Sequence, residues 1–424
     1  MADQTPTALG DVRVLDLTGE LGAYCTKLLA DLGADVIKIE PPGGDPARNV
    51  GPFYHDEPDP EQSLYFLNLN TSKRSITLNL EGEGGRQVFR RLVPTADIVV
   101  EAFPPGHLDG LGLGYQELCA LRPDIIVTSI SGFGGWGPHA DYLAPDIVGV
   151  AMAGIMWLAG DPQDQPNLPY GYQGYLSASI QAAAGTLMAL YHRDLTGEGQ
   201  HVDVSMQEAL LIAQERAMQT YDMNRTVLGR SGGRIGLPFT VPGMGPYEAS
   251  DGWIWAYLGT PGGAPWSELL AWMDEEGKAK DLTQEPYRPV IEQLNLRFLT
   301  GLVLSAEERE KHGPTLTHID EVLRRFFEGK TRWELYEQGQ GRRLLIGIVS
   351  TPEDLAKNPQ LNARNWFQEI EHPELGAVLR YPGPPYRLSE TPWRIGRRPP
   401  RVGEHTAEVL REVELSGEKG GTPP

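Results

Sequence analysis

An α/β fold, with a largely parallel sheet in a large domain and a smaller α+β domain beyond it, follows from three features of this chain. Short β-rich runs alternate with helix-period segments over the first 130 residues, the pattern of βαβ units. From about residue 240 that alternation gives way to a hairpin and several helices. And 424 residues are enough for two cores.

The elements follow in order. "VRVLDL" (12–17) predicts the first strand, and "AYCTKLLADLG" a helix stopped by Gly33. "DVIKIE" (35–40) and "RSITLNL" (74–80) predict the second and third strands. "GRQVFRRLVPTA" reads as helix, "DIVVEAF" (97–103) as strand, "YQELCALRP" as helix and "DIIVTSIS" (124–131) as strand. Strands joined by such crossovers lie parallel, and ligands on such sheets sit at their carboxyl ends. The loops after residues 17, 40, 103 and 131 are therefore the ones to watch. In "GYQGYLSASIQAAAGTLMALYHRDLTGEGQ" (171–200), Ile180, Ala183, Ala184, Leu187, Met188 and Tyr191 predict one apolar helix face. Ser177 or Ser179 is the expected N-cap. Tyr175 then places a bulky phenol where a helix N-terminus would favour an anion or a carboxylate. "GEGQHVDVSMQEALL" reads as a strand feeding a helix. Asp251-Gly252 predicts a hairpin, and residues 266–275, 285–300 and 317–338 predict helices. The expected divisions are a large domain over 1–215, a linker over 216–239, a small α+β domain over 240–338 and a Pro- and Arg-rich strap over 339–400. Residues 416–424 read as a frayed tail.

Charge and composition exclude several functions. With 57 acidic and 37 basic side chains the net charge is −20, which argues against nucleic acid or an anionic membrane as the main partner. A small anion needs only a few local cations or N–H groups. Two cysteines, Cys25 and Cys119, point to a reducing compartment without a disulfide framework. "MADQTPTALGDVRVLDL" lacks a basic stretch followed by a long apolar one, and no window is long enough to span a membrane. Cytoplasmic location is the expectation.

The motifs narrow the chemistry further. The first loop, "TGELGAYC", carries no GxGxxG, which sets aside nicotinamide and flavin enzymes. There is no P-loop, HExxH or GxSxG, and the nine histidines show no metal spacing. Arg48 in "PPGGDPARN" (41–49) and Lys73-Arg74 in "NTSKRS" (70–75) lie where phosphates would be received, or form solvated charges at a strand start. "EAFPPGHLDGLG" (101–112) and "SGFGGWGPHADYLAPD" (131–146) join glycines to aromatics, as loops over ligands do. Cys25 near a helix start lacks a His partner and reads as a buried structural thiol. Glu20, Asp146, Asp161 and Asp164 read as caps, turn residues or solvated charges.

Seven segments together resemble the family III CoA-transferases, the group of formyl-CoA transferase, carnitine CoA-transferase and α-methylacyl-CoA racemase. They are "VRVLDLT", "LLADLGADVIKIEPPGGDPAR", "SLYFLNLNTSKRSITLNL", "ADIVVEAFPPGHLDGLGL", "ISGFGGWGP", "LYHRDLTGEGQHVDVSMQEALL" and, more weakly, "GEHTAEVL". The resemblance implies a Rossmann-like large domain built from both chain ends (here 1–215 and 401–424), a smaller inserted domain and two chains interlocked as linked rings. It implies CoA or acyl-CoA as substrate, no permanently bound cofactor and no metal. By position it carries CoA contacts onto Arg48, Lys73, Arg74, Phe103, Gly106, Phe133 and Gly134. In active members of the family an Asp attacks the acyl-CoA thioester and carries the acyl group as an anhydride.

That Asp corresponds here to Tyr175, ten residues before Gly185. A phenol of ordinary pKa about 10 is neutral at pH 7 and forms no anhydride. The His that racemases use corresponds to Pro145, and Gly19, Ala102, Pro104 and Gly110 also depart from the pattern. The expectation is a catalytically silent subunit, with no catalytic residue of its own. It would assemble as an interlocked dimer or tetramer with an Asp-bearing paralogue that moves CoA between an acyl-CoA such as succinyl-CoA and a carboxylate such as benzylsuccinate. Two alternatives stand beside it: a self-sufficient transferase using Glu20 or Asp146, and a non-enzymatic CoA-ester-binding protein.

Overall fold

The computed structural model describes residues 6–214, 216–233 and 239–419. Residues 1–5, the expected domain boundary at 215, positions 234–238 of the expected linker and positions 420–424 of the expected tail lie outside the described residues.

Six parallel strands form the central sheet: β1 (Arg13–Leu17), β2 (Asp35–Glu40), β3 (Arg74–Thr77), β4 (Ile98–Glu101), β5 (Ile126–Ser131) and β6 (His201–Ser205). Their order is β3-β2-β1-β4-β5-β6, each neighbour pair parallel. The apolar runs of these strands are explained by burial on both faces: Val14, Leu15, Val36, Ile37, Ile98, Val99 and Ile126 are fully buried. Strand order reverses between β1 and β4, so the loops at their carboxyl ends open a crevice suited to a ligand. The helices along residues 23–211 are α1 (Ala23–Asp31), α2 (Leu64–Leu69), α3 (Glu83–Leu92), α4 (His107–Gly110), α5 (Tyr115–Leu121), α6 (Asp146–Met152), α7 (Ile155–Leu158), α8 (Gln173–Thr196) and α9 (Met206–Leu211).

The C-terminal helix, Thr406–Lys419, returns to the sheet. His405 N–H donates to Ser75 O at 2.8 Å, and Arg74 pairs with Glu408 and Glu412. Val409 and Val413 pack into the same core as Phe89 and Leu92. This helix runs to Lys419, through the first residues of the stretch expected to fray.

Helix α8 departs from expectation in both its start and its facing. It begins at Gln173, not near 179, and neither serine caps it; the Ser179 hydroxyl instead donates to Tyr175 O at 2.7 Å. The acceptor at its start comes from α6, where Asp146 Oδ1 takes the Tyr175 N–H at 3.0 Å. The face against the sheet is made of small residues, Ala178, Ala182, Thr186 and Ala189, all buried. Thr186 bonds Thr128 of β5 at 2.7 Å, and a Cβ on Gly185 would stand 3.0 Å from Val202 of β6. This close approach turns the expected apolar face outward, so Met188 and Tyr191 are each 68% exposed. Ile180 and Ala184 are exposed too, Leu187 is half-buried, and only Ala183 of the expected face is buried.

The described residues fall into two compact units. One gathers residues up to Ile155, Leu168–Gln219 and the chain from Gln360 onward; the other comprises Met156–Asn167 and Thr220–Pro359. The second unit holds an antiparallel sheet of β7 (Met244–Ala249), β8 (Gly252–Tyr257) and β9 (Ile346–Ile348), with a tight turn at Ser250-Asp251 just before Gly252. Its core includes Trp272 edge-on to Phe326 and Tyr247 edge-on to Phe327, both at 5.0 Å. The helix expected over 317–338 is two, Ala306–Glu328 and Arg332–Gly341, because Thr331 and Glu334 form a capping box that starts the second. The helix expected over 285–300 divides likewise where Asn295 caps Leu296–Leu304. The strap expected over 339–400 is more ordered than a strap: besides β9 it contains the helix Pro352–Lys357 and a hairpin of β10 (Gln368–His372) and β11 (Ala377–Tyr381). The expected linker opens with a helix, Arg216–Asn224.

Candidate functional site

The loops after β1 and β2 rest on a buried network of charges. Asp16 at the end of β1 accepts from Lys73 Nζ at 2.9 Å, from Thr18 N–H and hydroxyl at 2.9 and 2.6 Å, and from the Thr26 hydroxyl at 2.8 Å. Lys38 pairs with Asp45 at 2.6 Å and donates to Thr18 O at 2.7 Å. Arg48 forks onto Glu40 at 2.7 and 2.8 Å, reaches Glu61 at 3.0 Å and stacks on Phe66 at 3.8 Å. Arg74 forks onto Asp35 at 2.9 and 2.7 Å. Burial alone would raise the Asp16 carboxyl, but Lys73 and Lys38 outweigh it and hold the carboxyl at about 2.

Arg48, Lys73 and Arg74, expected to receive phosphates, each stand against a carboxylate of the fold. A cation removed from water needs an anion beside it, and each of the three has one within the fold. Cys25 is a buried thiol with its pKa pushed up to about 12 by burial and by Asp16, so it carries no thiolate at neutral pH.

Tyr175 stands in the first turn of α8, and two of the carboxylates singled out in the sequence come to it. Asp146 holds its N–H, and Glu20 of the first loop lies close enough to act on its phenol. Two further tyrosines complete the cluster. The Tyr172 ring stacks on Tyr175 at 5.7 Å, and Tyr65 of α2 meets Tyr172 edge-on at 5.2 Å. Burial, with Glu20 and Asp146 nearby, pushes the Tyr175 phenol above its ordinary value. Glu20 and Asp146 are both raised by burial; Asp45 adds to the shift of Glu20, and the N–H groups of Tyr175 and Gly174 oppose that of Asp146. Burial thus disfavours the charged forms of Tyr175, Glu20 and Asp146 alike. Asp146→Ala is expected to lower stability by about 1–2 kcal/mol, the cost of a lost helix cap, while Asp146→Asn keeps an acceptor and loses less. Urea unfolding of the two variants measures the difference.

Phe103 and Gly106 lie at a second part of the crevice. They line a cavity of about 300 Å³ over the ends of β4 and β5 and the start of β6. Its ionisable lining residues are Glu101, Asp109, Tyr115, His201 and Asp203, with no Lys or Arg among them. Gly134 N–H donates to Ser131 Oγ at 3.0 Å, and Gly135 N–H to the Asp203 carboxylate at 3.0 and 3.1 Å. Phe133 meets His139 edge-on at 5.9 Å. The structure thus brings Phe103, Gly106 and the Gly134 turn to one acidic hollow, whereas Arg48, Lys73 and Arg74 are tied into the network around β2 and β3.

Glu101, His201, Asp203, Tyr65 and Tyr172 were not picked out in the sequence. His201 and Asp203 had a usable signal: two residues apart in "HVDVS", they share one face of a strand. Tyr172 and Tyr175, three apart, share one face at the helix start. Asp161 and Asp164 belong to the other compact unit. Among the described residues no group of His, Cys, Asp and Glu could hold a metal, and no helix is long and apolar enough to cross a membrane.

Comparison with known proteins agrees with this architecture. The profile described as CoA-transferase family III matches residues 9–406. Subunit BbsE of the succinyl-CoA:(R)-benzylsuccinate CoA-transferase of Thauera aromatica is 38% identical over 402 residues, covering 94% of this chain and 93% of that one. The formyl-CoA:oxalate CoA-transferase of Streptomyces avermitilis is 34% identical over 417 residues, 97% of each chain. A crystal structure of a CaiB/BaiF family protein from Brucella suis superposes with a TM-score of 0.80 at 26% identity, over 96% of this chain and 100% of that one. With its parallel sheet, its two-unit organisation and a match along nearly its whole length, the chain belongs to CoA-transferase family III.

Proposed function

We propose that this chain is the subunit of a heteromeric CoA-transferase that does not carry the acyl-accepting Asp, and that it assembles, as linked rings, with a paralogue that does. One observation carries the reading: at the start of α8, where the family resemblance places the Asp, stands Tyr175, flanked by Tyr172 and two carboxyls shifted toward their neutral forms. On the partner, the Asp oxygen would bond to the thioester carbonyl as the C–S bond breaks and CoA leaves as thiolate. A phenol raised above its ordinary pKa supplies no such oxygen at neutral pH. Absence of Lys and Arg from the hollow beside Phe103 supports weak retention of CoA phosphates there.

The relative named for succinyl-CoA and benzylsuccinate supports succinyl-CoA as donor and an aromatic dicarboxylate as acceptor. Free thiols at Cys25 and Cys119 support work in the cytoplasm. Glu20 favours a second reading, a self-sufficient enzyme, because it is the carboxyl beside Tyr175 that α8 does not hold. Asp146, with its oxygen committed to the Tyr175 N–H, is the weaker nucleophile of the two.

Native mass spectrometry of this chain co-expressed with an Asp-bearing paralogue tests the assembly. The expected result is a one-to-one complex that resists exchange with either chain added alone. A population of homo-oligomers only, with both chains present, would sink the proposal.

A further inference from the structure

We infer that the C-terminal segment carries a second ligand site, for an anionic group attached to a flat ring. It does not depend on whether Tyr175 leaves the chain silent. A cavity of about 540 Å³ lies among the helix Pro359–Ala363, the residues entering β10 and the loop 384–393. Volumes of this size hold small organic ligands. Its walls combine Trp366, Tyr386 and Trp393 with Arg364 and Arg387, and include no Asp or Glu. That composition runs against a chain in which acidic side chains outnumber basic ones 57 to 37.

Arg364 and Arg387 are exposed side chains on the wall of this cavity. Arg13, Arg48, Arg74, Arg122, Arg332 and Arg398 all pair with carboxylates. Arg364 and Arg387 form no ion pair among the described residues, so two guanidinium groups remain for an outside anion.

Trp393 is packed into the wall of the cavity. It is 9% exposed, and its indole N–H has no acceptor, a costly state for a buried donor. Trp366, by contrast, donates its indole N–H to Pro384 O at 2.9 Å. The wall is closely built at that point: a Cβ on Gly383 would stand 1.9 Å from Trp366 O. Asn365 turns the chain out of its helix at φ 47°, between Arg364 and Trp366. The floor is anchored as well, with Arg394 N–H donating to Asp31 O at 3.1 Å. Indole and phenol faces accept a planar ring, and the guanidinium groups its acidic substituent.

Two sources carry this chemistry: the adenine nucleotide end of CoA, and a free aryl carboxylate. Purified full-length chain is titrated with ADP in one arm and with benzylsuccinate in the other, followed by tryptophan fluorescence and calorimetry. One arm is expected to saturate, and which one does so names the source. Arg364→Ala and Arg387→Ala should each weaken binding roughly tenfold, the effect of losing one charged hydrogen bond. If neither probe saturates, or if both arginine variants bind as wild type does, the inference is overturned. It is overturned too if the assembled complex with the paralogue no longer binds the probe, since the segment is then a subunit interface.

Discussion

Tyr175→Asp is expected to leave the purified chain without CoA transfer, on the order of 10³-fold or more below the complex with an Asp-bearing paralogue. The substitution returns the residue type that the chemistry needs, but not its surroundings. The new carboxylate would stand with Glu20 and Asp146, both already raised by burial. Like charges in a half-buried site disfavour ionisation, and an uncharged carboxyl is a poor nucleophile. Lys73 and Arg48 do not offset this, because Lys73 is held by Asp16 and Arg48 by Glu40. A thioester assay with succinyl-CoA on the variant reads the outcome, and turnover approaching that of the complex would contradict the account of the site.

Asp16→Ala is expected to lower stability by about 3–5 kcal/mol, the cost of stranding a buried charge. Lys73 Nζ would keep only Ala23 O and Asn70 Oδ1, and Thr18 and Thr26 would lose an acceptor. The same pair sets a pH dependence. The Asp16 carboxyl lies at about 2 in the folded chain against an ordinary 3.8. A depressed carboxyl contributes stability that is complete above its unfolded pKa and is lost as pH falls through the folded one. The difference in urea midpoint between wild type and Asp16→Asn should therefore hold at neutral pH and shrink as pH falls from 3.8 through 2. A difference that does not vary with pH would mean that the pair is not ionised.

What could be read from the chain, and what could not, has a common physical cause. The parallel strands were legible because a strand buried on both faces must be apolar throughout, as "DVIKIE" nearly is. Even there, Lys38 and Glu40 stand fully buried, each matched by a partner that no local pattern announces. Helix α8 was misread for a related reason. Its start depends on Asp146, 29 residues away, and its buried face is a row of alanines whose value lies in their smallness against β5 and β6. Periodicity finds the large apolar residues first, and here those face outward. Lys73 and Arg74 show the same limit. A basic pair at a strand start looks receptive until the chain ends fold back and bring Glu408 and Glu412 to Arg74. Tyr175 stood out as a phenol at a helix start, the family resemblance gave that its meaning, and its stacking with Tyr172 emerged only with the fold.

The central claim, that this chain lacks its own acyl acceptor, is tested most directly by incubating it with succinyl-CoA, alone and with the Asp-bearing paralogue, and mapping covalent adducts by peptide mass spectrometry. The account predicts an adduct on the paralogue only, with none on Tyr175, Glu20 or Asp146 of this chain. An acyl or CoA adduct on the isolated chain, at Glu20 above all, would contradict it.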